Sequence, residues 1–395
     1  MTSPIRLRAM LRPALAAVLL AGCEPTGPEQ HPVGVLRYPL GLAVEPAGRI
    51  AFVANTNFDS RYAGGTVNAV DLETGEVLPT AFSTAAYAGK LVGRANDQGH
   101  FDRLYVVTRE DGALRWAETS VTDGRVSLSC GAEAAQGALA ACDALHTLDG
   151  AGFDPYGLVL TSDARRLYSA AFSGQIGIFD VDEAGTPVAS VEASAPTGLY
   201  GLAVHPSGGG NLLYATSKFR NTINSVRVHE GDASSSPLLA VDEAVVLSSP
   251  LPGREFARDI VFSPAGDLAF VAYRGPPAAL AVVATAIGPS GVPANTVVGA
   301  TPLPDSPSGL AVVERDGRQR VYVSLFTKDL VAVVDPVALR VIDLIEVGDG
   351  PFDLAVGQVG GHQVLAVTLF REGAVGVIDI EPGSTFEHRE IKRIQ

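Results

Sequence analysis

Two methionines, one tryptophan and three cysteines are all that 395 residues contain of those types, and aromatics make up only 7%. A core assembled from this chain is therefore built mainly of aliphatic side chains. No Cys-X-X-Cys pair occurs, which argues against catalytic thiol chemistry. No Gly-Xaa-Ser-Xaa-Gly elbow is present, and no His, Asp or Glu cluster has metal-ligand spacing, so neither a metal nor a cofactor is expected. The glycine run Ser207-Gly208-Gly209-Gly210 leads into no helical pattern, so it reads as a turn rather than a phosphate cradle. Apolar periodicity of the helical kind is missing over any useful length. Positive charge is scarce too: 29 Lys and Arg against 43 Asp and Glu leave a formal charge of −14, which argues against a nucleic-acid partner. Solubility is the plainest consequence of that charge.

Apolar residues make up 47% of the chain, and 43 glycines and 26 prolines are scattered along it, which excludes disorder and implies many tight turns. The stretch from Pro307 to Val356 shows the organising pattern. Four apolar runs follow in order, Gly309–Val313, Arg320–Leu325, Leu330–Val334 and Val341–Val347, each bounded by Gly, Asp or Pro. Such runs read as buried strands of a meander. Pro351-Phe352-Asp353-Leu354-Ala355-Val356 then restarts the cycle begun by Pro307-Ser308-Gly309-Leu310-Ala311-Val312. Similar cycles start near residues 41, 89, 157, 201, 259, 309 and 353. One four-stranded sheet cannot cover both of its faces, so it must stack on copies of itself. The chain is therefore expected to be all-β, a seven-bladed β-propeller of four-stranded antiparallel blades. A solenoid is the alternative, but the ends lack polar capping repeats. His31–Tyr38 or Glu387–Ile394 is expected to add the outer strand of a terminal blade.

The second and third strands carry a family resemblance. Phe52-Val53-Ala54-Asn55, Tyr105-Val106-Val107-Thr108, Tyr214-Ala215-Thr216-Ser217 and Tyr322-Val323-Ser324-Leu325 look like degenerate copies of a Tyr-Val-Thr-Asn signature. Gly65-Thr66-Val67-Asn68-Ala69-Val70-Asp71, followed by Thr74-Gly75-Glu76-Val77, is similar to the strand that comes next. Together these resemble the YVTN β-propeller repeat family over nearly the whole chain after residue 32. Blade two and the loop Thr285–Thr301 depart from the pattern. The resemblance implies the propeller fold; for activity it leaves lactonase-like enzymes, redox-enzyme subunits and binding proteins all open.

Met1 to Gly22 carries Arg6, Arg8 and Arg12, the apolar run Ala14–Leu20, and then Leu20-Ala21-Gly22-Cys23. Basic residues, a short apolar run and small residues before a cleavage point form an export signal too short to span a bilayer stably. The ending resembles a bacterial lipobox. That resemblance implies that residues 1–22 are removed, that Cys23 is lipidated, and that Glu24 directs the chain to the outer membrane of a bacterial envelope. Several acyl chains, at roughly 0.8 kcal/mol per buried CH₂, anchor a protein permanently. Residues 23–32 read as a flexible Pro- and Gly-rich tether, and 33–395 as one propeller domain. Cys130 and Cys142 are expected to form a disulfide in that oxidising compartment, with two free buried thiols as the alternative.

In a propeller the loops between second and third strands share a rim with the start of each blade. Those loops carry Arg61, Arg109, Lys218 with Arg220, Arg274, Lys328 and Arg371, cations in six of seven blades of an acidic protein. Tyr156, Arg258, Asp259 and Asp353 lie at blade starts, near the central channel. Charge of one sign converging on a concave mouth favours an anionic ligand, and Arg suits bidentate capture of carboxylate or phosphate. A solvated rim would also carry one long cation per loop, and Arg258-Asp259 would also serve as an ion pair tying neighbouring blades. Of seven histidines only His146 is placed to reach the mouth. These features point first to a non-catalytic binding platform for a protein partner or an anionic envelope ligand. The alternative is a lactonase-like hydrolase with Arg258, Asp259, Asp353 and Asp154 in the channel.

Overall fold

The computed structural model describes residues 29–395 apart from 123–124, 132–138, 221, 230–237, 242–244, 247–256 and 276. The expected export signal, Cys23 and most of the expected tether lie outside the described residues. Seven antiparallel sheets follow one another along the chain and each takes its strands in sequence order, so the fold is a seven-bladed β-propeller. Blade 1 is Pro39–Val44, Ile50–Asn55, Gly65–Asp71 and Glu76–Thr84. The innermost strands of blades 2 to 7 are Ala88–Ala95, Pro155–Leu160, Leu199–Val204, Ala257–Phe262, Pro307–Arg315 and Pro351–Val359. Each meets the innermost strands of the two flanking blades, and Pro39–Val44 meets Pro351–Val359 to close the ring.

The burial pattern explains why this composition makes this shape. Ile50–Asn55 and Gly65–Asp71 are buried at every position, because each sheet is covered by a neighbour on both faces. The outer strand Arg340–Glu346 is mostly exposed, so charged residues are tolerated there. The aliphatic clusters span pairs of blades: Leu42, Val53 and Val70 of blade 1 pack with Val364, Val375 and Ile394 of blade 7. Both ends of the ring are sewn from contiguous chain. Glu76–Thr84 is the outer strand of blade 1, and Arg389–Ile394 pairs with Ala374–Asp379 in blade 7. Of the two terminal segments, only the C-terminal one supplies an outer strand. Residues 29 to 32 instead lie against blade 1, where Ala63 N donates to Glu29 O and the buried His31 ring sits 4.7 Å from that of Tyr62.

Hydroxyl groups staple the blades near the channel. Thr216 Oγ1 accepts from Gly201 N and donates to Arg258 O of the next blade at 3.2 Å. Ser324 does the same between Gly309 N and Phe352 O, and Thr368 between Asp353 N and Leu40 O across the ring seam. The Ser and Thr residues of the degenerate strand-two signature therefore satisfy inner-strand polar groups that would otherwise be buried without partners.

Blade 2 departs from the plan, as its sequence does. Its outer position is shared by Arg125–Ser129 and Thr147–Asp149, both paired with Ala113–Thr122. Cys130 and Cys142 form a disulfide between them, with Cα atoms 4.5 Å apart. Just before Cys142, Ala140 bonds back to Ala81 and Ser83 of blade 1, so the bridge pins a strap across the blade 1–2 seam. The segment after Thr285 also resolves: Thr296–Pro302 is the outer strand of blade 5.

Candidate functional site

The strand registers align one position of all seven innermost strands. Gly41, Lys90, Gly157, Gly201, Asp259, Gly309 and Asp353 occupy it in blades 1 to 7. The glycines let neighbouring inner strands approach closely: a Cβ on Gly41 would lie 2.5 Å from Gly89 O, and one on Gly201 would lie 2.6 Å from Arg258 O. The three charged residues meet. Lys90 Nζ is 2.5 Å from Asp353 Oδ1 and 3.5 Å from Asp259 Oδ2. Each carboxylate also accepts from a neighbouring inner strand, Asp259 from Leu310 N and Asp353 from Leu42 N, both at 3.1 Å. Burial alone would lower the Lys90 ammonium, but Asp259 and Asp353 outweigh it and hold the group above the usual lysine range. Burial pushes the Asp259 carboxyl up; Lys90 opposes that and Asp353 adds to it. A buried ion triad thus joins blades 2, 5 and 7.

One step nearer the rim stand Leu40, Gly89, Tyr156, Tyr200, Arg258, Ser308 and Phe352. Tyr156 and Tyr200 stack with ring centroids 3.7 Å apart, and the Arg258 guanidinium lies 4.1 Å from the Tyr200 centroid. Burial raises the Tyr156 phenol, with Tyr200 and Asp353 adding to the shift. The residue that follows each second strand forms the next tier. It is Thr56, Arg109, Phe172, Lys218, Arg274, Phe326 and Phe370 in blades 1 to 7. Arg109 pairs with Asp154. Lys218 Nζ lies 5.0 Å from the Phe172 ring and 5.8 Å from the Tyr200 ring. Arg274 donates to Pro307 O at 2.8 Å and to Ser308 Oγ.

Among the described residues none of Lys218, Arg258 and Arg274 forms an ion pair, and Arg258 Nε is buried with no hydrogen-bond partner. The repulsion shows in the titration of Lys218 and Arg274. Burial lowers the Lys218 ammonium, and Arg258 and Arg109 lower it further. Burial, then Arg258, lowers the Arg274 guanidinium to about 10. Opposite these cations the mouth is aromatic: Phe352 lies 5.8 Å from Phe326 and 6.2 Å from Phe370, and the exposed Phe58 stands 5.5 Å from Phe370. The mouth is therefore divided, with excess positive charge on blades 4 and 5 and apolar rings on blades 6, 7 and 1.

The sequence-derived residues separate into three groups. Arg109, Tyr156, Arg258 and Arg274 share the mouth. Asp259 and Asp353 lie beneath it in the triad, so the partner of Asp259 is Lys90 and the expected Arg258–Asp259 pair is not made. Arg61, Arg220 and Lys328 are exposed on the rim, and Arg371 is held by Asp349 and Asp329. His146 does not serve the mouth: it bonds Asp143 and Glu118 beside Trp116 in blade 2. Among the described residues no group of three or more His, Cys, Asp or Glu is gathered to hold a metal. Lys90 is the member of this constellation that the sequence pattern hides. Gly89 imitates Gly41, whereas Leu91-Val92 corresponds in register to Leu42-Ala43 and places Lys90 at the glycine position.

Fold and site together define a propeller with a charged floor and a divided mouth, cationic on one side and aromatic on the other. Its solved relatives in shape are varied. A chain of hydrazine synthase from Kuenenia stuttgartiensis is 16% identical with a TM-score of 0.59, over 92% of this chain and 99% of that one. The periplasmic gluconolactonase of Pseudomonas aeruginosa is 19% identical with a TM-score of 0.57, over 79% and 86%. A 6-phosphogluconolactonase-like protein from Bacteroides fragilis is 15% identical with a TM-score of 0.58, over 80% and 86%. At such identities the likeness is one of fold. No family model matches the chain, nor does any curated protein. The YVTN resemblance accordingly stands on the strand residues quoted for it.

Proposed function

We propose that this chain is a lipid-anchored recognition propeller of the bacterial envelope, whose mouth binds an organic anion with an apolar or ring-shaped body. The observation that carries this reading is the convergence of Lys218, Arg258 and Arg274 without carboxylate partners, facing the Phe326–Phe352–Phe370 wall. Crowded like charges cost free energy in the empty protein, and an anion entering between them recovers it. The aromatic wall supplies the apolar contact, and Arg258 supplies an unused guanidinium donor. The lipobox ending at Cys23 and the YVTN-like strands support an envelope address for such a domain. The anion is either free or displayed on a partner protein's surface.

A lactonase-like reading is favoured by one feature of the site: Asp154 beside Arg109 at the mouth offers a carboxylate next to a cation. Solved gluconolactonase propellers of similar shape are consistent with it. Calorimetric titration with phenyl phosphate, run beside a pH-stat assay of glucono-δ-lactone hydrolysis, separates the two. Binding that weakens in Arg258→Ala, with lactone turnover at the uncatalysed rate, supports recognition. Turnover that is lost in Asp154→Asn makes the protein a hydrolase.

A further inference from the structure

Four blades carry a tyrosine at the same step of the second strand. Tyr105, Tyr168, Tyr214 and Tyr322 face Val92, Val159, Ala203 and Ala311 in their registers. Each ring is buried against the following blade. In three cases that blade also supplies an amide carbonyl for the phenol. Tyr105 donates to Gly185 O at 2.6 Å, Tyr168 to Asn211 Oδ1 at 3.4 Å and Tyr214 to Asn295 Oδ1. Tyr322 breaks the pattern. The residue is only 2% exposed, yet blade 7 supplies no amide carbonyl bonded to its hydroxyl, and no hydrogen bond to that hydroxyl is made among the described residues; the nearby Glu387 carboxylate of blade 7 acts on the phenol by its charge and helps to raise it.

In place of that acceptor there is a cleft of about 520 Å³, lined by Tyr322, Val313, Ile342 and Ile380 together with arginines of the Pro307–Arg315 and Arg318–Leu325 hairpin. Its size falls in the range of ligand pockets, roughly 300–1,000 Å³. Arg315 pairs with Glu381 and Arg320 with Asp335, whereas Arg318 is exposed and forms no ion pair among the described residues. Two carboxylates also line the space, Asp316 at the hairpin tip and Glu387, whose Oε2 takes Gly383 N. The far wall is held in an unusual shape: His388 has φ of +60° and its Nδ1 lies 2.8 Å from Asp343. A left-handed non-glycine residue persists only where its surroundings fix it.

We propose that this cleft between blades 6 and 7 is a second binding site, for an extended peptide segment. The peptide supplies the amide carbonyl that the other three tyrosines receive from their own chain, places an aliphatic side chain over Val313, Ile342 and Ile380, and presents an acidic side chain to Arg318. The outer strands on either side expose Ile342, Leu344 and Ile391, which extends the apolar surface beyond the cleft. The site is independent of the mouth.

The test is selection of a random eight-residue peptide library on the immobilised folded protein. Enriched peptides are then titrated by fluorescence anisotropy against wild type, Tyr322→Phe, Arg318→Ala and the cleft-filling Val313→Trp. Enriched sequences pairing an aliphatic with an acidic residue are expected. Tyr322→Phe should weaken them about 5-fold, the share of one neutral hydrogen bond, and Val313→Trp should abolish binding. Should Val313→Trp fail to fold, the near-isosteric Tyr322→Phe keeps the test decisive. Absence of enrichment, or peptides that bind all three variants like wild type, overturns the proposal. Titration against a fourth variant, Arg258→Ala, controls for the mouth: peptides that are lost in it and kept in Tyr322→Phe also overturn the proposal, because they occupy the mouth.

Discussion

Lys90 Nζ stands 2.5 Å from Asp353 Oδ1, and through this contact blade 2 grips the last blade of the ring. Asp353 in turn accepts from Leu42 N of blade 1, so the same carboxylate holds the seam between the first and last blades. Removing one partner of a buried ion pair leaves the other charge uncompensated, which typically costs about 3–5 kcal/mol. Lys90→Met should therefore lower the urea midpoint strongly. The triple variant Lys90→Met, Asp259→Asn, Asp353→Asn should recover part of the loss. A single variant as stable as wild type would mean that the triad does not fasten the ring.

The triad also predicts a pH dependence. Burial raises the Asp259 carboxyl in the fold, whereas in the unfolded chain it ionises near its ordinary value of about 3.9. Between those two values the folded protein binds more protons than the unfolded one, so this group's contribution to stability falls as pH rises. Asp259→Asn should remove that fall. Urea midpoints of both proteins at several pH values from about 4 to 7 should diverge in slope, and parallel curves would contradict the assignment.

The repeating part of the molecule was legible in the sequence, and the symmetry-breaking part was not. Aliphatic runs bounded by Gly, Asp and Pro place the seven inner strands because every blade buries both faces in the same way. Lys90 was hidden because Gly89 beside it imitates the glycine of the other blades, and a one-residue offset costs nothing in an apolar pattern. The rim cations were visible as residue types. That Arg371 is neutralised by Asp349 while Arg274 is bonded to Pro307 O and Ser308, with no carboxylate, depends on loop paths that no period encodes. The cleft at Tyr322 is invisible for the same reason: it opens where blade 7 leaves the phenol without the bonded amide carbonyl that the other three tyrosines receive.

The mouth should be strained by its own charge. With Arg258 4.1 Å from the Tyr200 centroid and Lys218 5.8 Å from it, replacing Arg258 by Gln relieves repulsion while keeping much of the side-chain volume. Arg258→Gln should leave the thermal midpoint unchanged or raised at low salt, with the difference shrinking as salt screens the cations. It should also weaken anion binding about 10-fold or more, the loss of a charge-assisted hydrogen bond. A variant that loses stability at low salt would make Arg258 a structural residue.

The Cys130–Cys142 bridge should matter to the fold and not to the mouth. Closing a short loop in the unfolded chain stabilises by about 2–4 kcal/mol in the usual model. The double variant Cys130→Ser, Cys142→Ser should therefore unfold at lower urea and loosen the strap at Ala140. Hydrogen exchange should show this at Ser83 N, which donates to Ala140 O at 2.7 Å. Phenyl phosphate affinity should be unchanged, and a parallel loss of affinity would tie the strap to the site.

The central claim is that the mouth holds an anion between its cations and its aromatic wall. A crystal soaked in p-iodobenzoate tests it directly, because the anomalous signal of iodine locates the ligand without ambiguity. One principal iodine peak is expected beside Phe326, Phe352 and Phe370, with the carboxylate in hydrogen-bond reach of Arg258. An iodine peak elsewhere on the molecule, or a ligand in the mouth with its carboxylate turned away from Lys218, Arg258 and Arg274, would contradict it.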